Sequence, residues 1–186
     1  MNKITKEVLS HENFYFRALL AGDPFHSGHR EIIEYLSKNF DIVVVVPTNI
    51  KYYKNYKGRD RAMFSFTERF DRIREKCQDL KNVKVSDIER DIPEGWRFYD
   101  TLKFIINTFG DKNEFYIAIG SDSLINFKTW YKWQEILEIS KLVVFTRPGY
   151  TKDLPKDLQY EIVQMNNGAS STQIRKELID YMENQR

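Results

Sequence analysis

The sequence predicts an α/β protein built on a doubly wound, mostly parallel sheet. Three observations carry that expectation. Strand-like and helix-like segments alternate along the whole chain. Ile42, Val43, Val44, Val45 and Val46 form an unbroken, mostly β-branched run, the pattern of a strand buried on both faces of a parallel sheet. The chemistry-bearing segments at 23–29, 47–57, 120–122 and 146–149 each follow a predicted strand, where ligands bind in such sheets.

The elements read in order as follows. Residues 1–13 are polar and stand outside the predicted domain, which runs from 14 to 186 as a single unit. Residues 14–21 are a first strand. Residues 27–39 are a helix with Ile32, Ile33, Tyr35 and Leu36 inward. The valine run is the second strand, and Pro47 ends it. Phe66, Phe70, Ile73, Cys77 and Leu80 step by three and four, one face of a helix. Val83, Lys84 and Val85 make a short strand. Residues 99–109 are a helix with Gly110 as its C-cap. Strands follow at 115–119 and 142–145, with a helix at 133–139 between them. A short strand at 161–164 and a terminal helix at 171–182 complete the set.

Bulk composition narrows the function. The chain has 186 residues, 41% of them hydrophobic, enough for one domain with a substantial core. Lys+Arg 29 against Asp+Glu 27 leaves a net charge of +2, which argues against a general polyanion binder. No apolar run is long enough to span a bilayer, and residues 1–7 lack the apolar stretch of a signal peptide. The single cysteine, Cys77, excludes an intrachain disulfide and a multi-cysteine metal site. A cytoplasmic protein with neither nucleic acid nor membrane as partner is expected.

His26, Ser27, Gly28 and His29 stand between the first strand and the first helix. Backbone N–H groups at a helix start face an anion, and the helix dipole favours negative charge there. Gly28 lets the backbone approach a ligand. Two imidazoles add donors that can follow charge developing on phosphate oxygens; the bland alternative is a histidine pair that only caps the helix. Ser170 or Ser171 is a plausible N-cap for the last helix, and Ser171, Thr172 and Arg175 fit a second anion site one turn deep. Gly120 and Asp122 open a loop after a buried strand, where a carboxylate either accepts ribose hydroxyls or caps a helix.

These segments together resemble the nucleotidylyltransferase superfamily, and within it the nicotinate-nucleotide adenylyltransferases. His26-Ser27-Gly28-His29 resembles its His-x-Gly-His signature. The stretch from Ile119 through Gly120, Ser121 and Asp122 to Trp130 and Trp133 resembles its Gly-x-Asp…Trp segment. Phe145-Thr146-Arg147-Pro148-Gly149 resembles the Arg-Pro-Gly turn, and Ser170-Ser171-Thr172-Gln173-Ile174-Arg175 the closing Ser-Ser-Thr-x-Ile-Arg motif. The resemblance implies a Rossmann-like nucleotidylyltransferase fold. It also implies transfer of AMP from ATP to a pyridine mononucleotide, giving nicotinate adenine dinucleotide and pyrophosphate. Magnesium would arrive with ATP, and association with further copies of the chain is in keeping with the family.

By that resemblance His26, His29 and Arg175 carry the chemistry. Asp23, Gly28, Lys54, Gly120, Asp122, Ser171 and Thr172 would bind ATP, with Lys51 second to Lys54 in the basic, tyrosine-interleaved loop 51–59. Arg69 stands where the family has an arginine, or else on a solvated helix face. Arg97, Phe98, Thr101 and Trp130 would bind the acceptor, with Trp130 near its base and Trp133 in the core. Two departures stand out. Leu19 to Pro24 replaces the usual glycine-rich loop, and Phe98 stands where a threonine helps bind the pyridine carboxylate. Arg97 could pair with a carboxylate, or Phe98 could stack on the ring, so the acceptor base is either nicotinate or nicotinamide. A catalytically weak nucleotide sensor is the alternative from another class.

Overall fold

A computed structural model describes residues 13–20, 23–49, 63–146 and 154–166, together with 173, 174, 176–178 and 180. Six strands form one sheet in the order β3-β2-β1-β4-β5-β6. They are β1 (Asn13–Leu20), β2 (Ile42–Pro47), β3 (Val83–Val85), β4 (Glu114–Gly120), β5 (Lys141–Thr146) and β6 (Glu161–Gln164). Every pairing is parallel, from Val43 beside Val83 at one end to Val144 beside Ile162 at the other. The helices are α1 (Ser27–Asn39), α2 (Phe66–Lys76), α3 (Phe98–Phe109), α4 (Ser121–Ile125) and α5 (Trp133–Ile139).

The valine strand explains the two layers. Successive strand side chains point to opposite faces, and β2 is buried at all six positions. Ile42, Val44 and Val46 pack with Leu102, Ile105 and Ile106 of α3 and with Leu124 and Ile136. Val43 and Val45 pack with Ile33 and Leu36 of α1 and Ile73 of α2. One strand thus serves two cores, which is why its sequence does not alternate. Arg30 of α1 reaches across to Asp79 at 2.8 Å and to the carbonyl of Lys76, pinning the end of α2 to α1.

Several expectations shift. Tyr35, expected inward, is 37% exposed and meets Phe145 edge-on. It flanks the stripe of Ile32, Ile33 and Leu36 instead of lying on it. Helix α2 ends at Lys76 with Cys77 as its cap, so Leu80 sits in the following turn, where its N–H donates to the Cys77 carbonyl. Gly110 caps α3 at φ 94, a conformation that favours glycine. Residues 121–125 form a helix in place of the expected loop, with Gly120 and not Asp122 as its N-cap. The described residues from 173 to 180 are helical, in the span of the expected terminal helix.

Sheet order sets the place for a ligand. The chain winds from β1 outward to β3, then returns to β4 beside β1 and winds the other way. The crevice beyond the carboxyl ends of β1 and β4 is therefore the switch point of the sheet, the usual ligand site of open α/β folds.

Candidate active site

His26 is the N-cap of α1, in extended backbone geometry, and His29 lies one turn on. Each ring caps the other's neighbourhood. The Gly28 N–H donates to His26 Nδ1 at 3.2 Å, and the His26 N–H donates to His29 Nδ1 at 3.3 Å. The rings stack with centroids 3.8 Å apart and planes 22° apart, and His29 also stacks on Phe25 at 5.6 Å. A nitrogen that accepts a backbone hydrogen bond carries no proton, so both neutral imidazoles hold theirs on Nε2. The helix cap therefore sets the tautomer of two donors side by side.

Asp23 is fully buried in front of this turn. Its carboxylate accepts the N–H groups of Phe64 at 3.1 Å and Met63 at 3.2 Å. It ties residues 63 and 64, just ahead of α2, to the turn before α1. Across the switch point, Gly120 closes β4 and starts α4. A Cβ at Gly120 would stand 2.6 Å from Asp122 Oδ1, so only glycine leaves room for the carboxylate in its present position. The Asp122 side chain is exposed at the helix start, where its negative charge suits the dipole. At the end of β5 the buried Thr146 hydroxyl has no hydrogen-bond partner among the described residues.

On the β2 side, the start of α3 gathers the expected acceptor residues. The Arg97 N–H donates to Asp100 Oδ2 at 2.7 Å, and its guanidinium donates to the Trp96 carbonyl at 3.2 Å. Phe98 is buried and meets Trp130 edge-on, with ring centroids 5.2 Å apart. Its ring orients the indole and belongs to the core. Trp130 packs on Phe127 as well and is half-buried, and Trp133 is half-buried too rather than fully in the core. Lys132, in left-handed backbone geometry at φ 55, lays its ammonium 4.6 Å from the Tyr99 ring.

Thr101 is fully buried. Its hydroxyl accepts from Trp96 Nε1 and donates to Glu89 Oε1, both at 2.8 Å. Glu89 Oε2 accepts the Asn49 N–H at 3.0 Å. Burial pushes the Glu89 carboxyl up, opposed by Thr101, Asn49 and the charge of Arg69. Arg69 is not on a solvated face: it is fully buried, donating to the carbonyls of Thr48 at 2.7 Å and Phe64 at 3.2 Å. Sequence reading missed Glu89, Asn49 and Trp96. Arg69 was within reach, because 66, 69, 70 and 73 share one helix face.

The histidines and Asp23 thus follow the carboxyl end of β1, and Gly120 and Asp122 stand at that of β4, its neighbour in the sheet; Arg97, Phe98 and Thr101 lie at the start of α3, where Phe98 meets Trp130. Lys51, Lys54, Ser170, Ser171, Thr172 and Arg175 lie outside the described residues. Among the described residues no group of three or more His, Cys, Asp and Glu is placed to hold a metal ion, and no helix is long and apolar enough to cross a membrane.

Comparison with known proteins agrees with this geometry. The profile of the cytidylyltransferase-like family matches residues 23–177. A Fusobacterium nucleatum protein described as a probable nicotinate-nucleotide adenylyltransferase is 33% identical over 165 residues, covering 84% of this chain and 82% of that protein. A Shewanella protein of the same description is 31% identical over 144 residues, covering 75% of this chain and 64% of its own length. The solved Plasmodium falciparum nicotinic acid mononucleotide adenylyltransferase, complexed with NaAD, shares the fold. Its TM-score is 0.68 at 16% identity, over 89% of this chain and 83% of that one. Matched across most of its length by profile and by relatives, and carrying its histidine pair at the switch point, the chain belongs to the cytidylyltransferase-like family of nucleotidyltransferases.

Proposed function

We propose that this enzyme transfers an adenylyl group from ATP to nicotinate mononucleotide, releasing pyrophosphate and forming nicotinate adenine dinucleotide, a step of NAD synthesis. The observation that carries the reading is the stacked His26–His29 pair, held in one tautomer at the start of α1. The activity is also the one that names the relatives described above.

In this reaction the 5′-phosphate oxygen of the mononucleotide attacks the α-phosphorus of ATP, and the bond to the β-phosphate bridging oxygen breaks. The attacking phosphate is already an anion, so no side chain has to be activated as a nucleophile. Positioning and charge neutralisation carry the step. The two Nε2–H groups donate to phosphate oxygens as charge shifts onto them. Asp122 faces a ribose across the switch point, with Gly120 keeping its carboxylate in place. Trp130, set by Phe98, lies beside the acceptor ring, and Arg97 supplies a cation for its carboxylate. Lys54, Ser171, Thr172 and Arg175 complete the triphosphate site on the strength of their motifs. Asp23 and Gly28 shape the turn that presents the histidines. Magnesium enters as part of the substrate, bound by phosphate and water oxygens of its ATP complex. The activity fits a cytoplasmic setting, with Cys77 a buried free thiol pushed up to about 11 by burial.

The test is pyrophosphate release from magnesium–ATP with either nicotinate or nicotinamide mononucleotide. The expected result is a kcat/KM at least about tenfold higher for nicotinate, the value of one well-placed charged contact. Preference for the amide overturns the choice of acceptor. ATP binding without release from either overturns the enzyme reading in favour of a sensor.

A further inference from the structure

Glu89 lies between β3 and α3, far along the chain from either histidine, and is almost wholly buried. Each of its carboxylate oxygens accepts a hydrogen bond from a neighbour. The Asn49 backbone N–H donates to one. The Thr101 hydroxyl accepts from the Trp96 indole, itself a donor only, and donates to the other. Asn49 ties back a second time, its side-chain amide donating to the carbonyls of Glu89 and Arg90. A glutamine in this place would turn its amide N–H toward Asn49 or toward Thr101, and the present pattern of two donated bonds would be lost. The carboxylate accepts on both sides, although a buried charge is an expensive way to join two segments.

The segments joined are the ones that the reaction needs held together. Asn49 is where the chain leaves β2 and heads into the basic loop 51–59. Trp96 and Thr101 bracket Arg97 and Phe98, and Phe98 sets Trp130. Arg69, also buried, holds the preceding residue, Thr48, by its carbonyl. We propose that Glu89 is a positioning residue, whose carboxylate locks the acceptor-side segment 96–101 to the exit of β2 through Thr101 and Asn49. It touches no substrate itself. The inference rests on the proposed function for what segment 96–101 binds, but not for the relay.

The test uses the full chain, nitrogen-15 labelled, and the variants Glu89→Gln, Thr101→Val and Thr101→Ser. Three tryptophans give three indole N–H signals, and Trp96→Phe identifies the one from Trp96. Glu89→Gln is expected to shift the Trp96 signal and speed its hydrogen exchange. It should raise KM for nicotinate mononucleotide about tenfold, with KM for ATP changing less than about threefold, as loss of a hydrogen bond on one side of the site requires. Thr101→Val should reproduce both effects and Thr101→Ser neither. A Trp96 signal indifferent to Glu89→Gln and Thr101→Val overturns the relay. So does a KM that rises equally for both substrates. Wild-type protein that releases no pyrophosphate overturns the proposed function and the acceptor half of the inference, whereas a silent Trp96 signal in an active enzyme overturns the relay alone.

Discussion

Replacing His29 by alanine separates the two jobs that its ring performs. The structural job has a definite size. The change removes the half-buried hydrogen bond from the His26 N–H, about 1 kcal/mol. It also removes a stacking contact at 3.8 Å, about another 1 kcal/mol. A loss of about 2 kcal/mol lowers Tm by about 4–8 °C in a chain of this length. It leaves about 3 kcal/mol even if the native protein starts near the low end of ordinary stabilities, so less than about 1% is unfolded at 25 °C. The chemical job is larger: losing one donor to the reacting phosphate reduces kcat about 10²–10³-fold. Unfolding cannot account for such a fall. Pyrophosphate release at 25 °C gives the rate, calorimetry gives Tm, and titration with ATP shows whether nucleotide still binds within about threefold. A variant that loses the expected few degrees but keeps kcat within about tenfold would show that the ring is only a cap, and the mechanism would fail.

Three further outcomes are expected. Thr101→Val strands the Trp96 indole and one Glu89 oxygen, which amounts to about 3 kcal/mol, so Tm should drop by about 6–12 °C, while Thr101→Ser stays within about 2 °C; an unchanged Tm for the valine variant would dissolve the relay. Gly120→Ala suits the backbone at φ −76 and ψ 159 but displaces the Asp122 carboxylate, so Tm should hold while KM for ATP rises several-fold, and an unchanged KM would remove Asp122 from the nucleotide site. Burial holds the Glu89 carboxyl above its ordinary 4.5. The folded protein then binds that proton more tightly than the unfolded chain, so this contribution is full below about pH 4.5 and is lost as pH rises through the raised value. Urea titrations from pH 4 to 7 should show the stability of wild type relative to Glu89→Gln falling; a rising difference would mean that the donors outweigh burial.

The fold was legible wherever a pattern ran long enough. Val43 through Val46 announced a strand with a core on each side, and the steps of α2 and α3 announced their faces. Gly110 fitted its positive φ. Five residues of α4 carry less than two turns of period and no side-chain cap, so nothing in their spacing distinguishes them from a loop. Tyr35 was misplaced because an aromatic beside a stripe reads like one on it. At the site, the histidine pair was legible because both rings sit within four residues of one helix start. Glu89 was not, since Asn49, Glu89, Trp96 and Thr101 are linked by hydrogen bonds between separate segments and by no local period. For Arg69 the sequence offers a family arginine or a solvated charge, and its position on the Phe66, Phe70 and Ile73 face favours burial. A charge on an apolar stripe asks for carbonyl partners, and Thr48 and Phe64 supply them.

The sheet order also governs how the enzyme comes into being. β1 pairs with β2, its near neighbour in the chain, but its other partner, β4, begins about a hundred residues later, with Asn13 beside Glu114. Strands β1 to β3 are joined by local crossovers, and so are β4 to β6, so the β1–β4 pairing is the long-range contact of the sheet and the slower kind to form. The histidines belong to the first half and Gly120 and Asp122 to the second. A half-assembled chain has no switch point, so a nucleotide bound as proposed across β1 and β4 would stabilise only the finished sheet. Saturating ATP should accordingly slow unfolding by holding the two halves together at their seam.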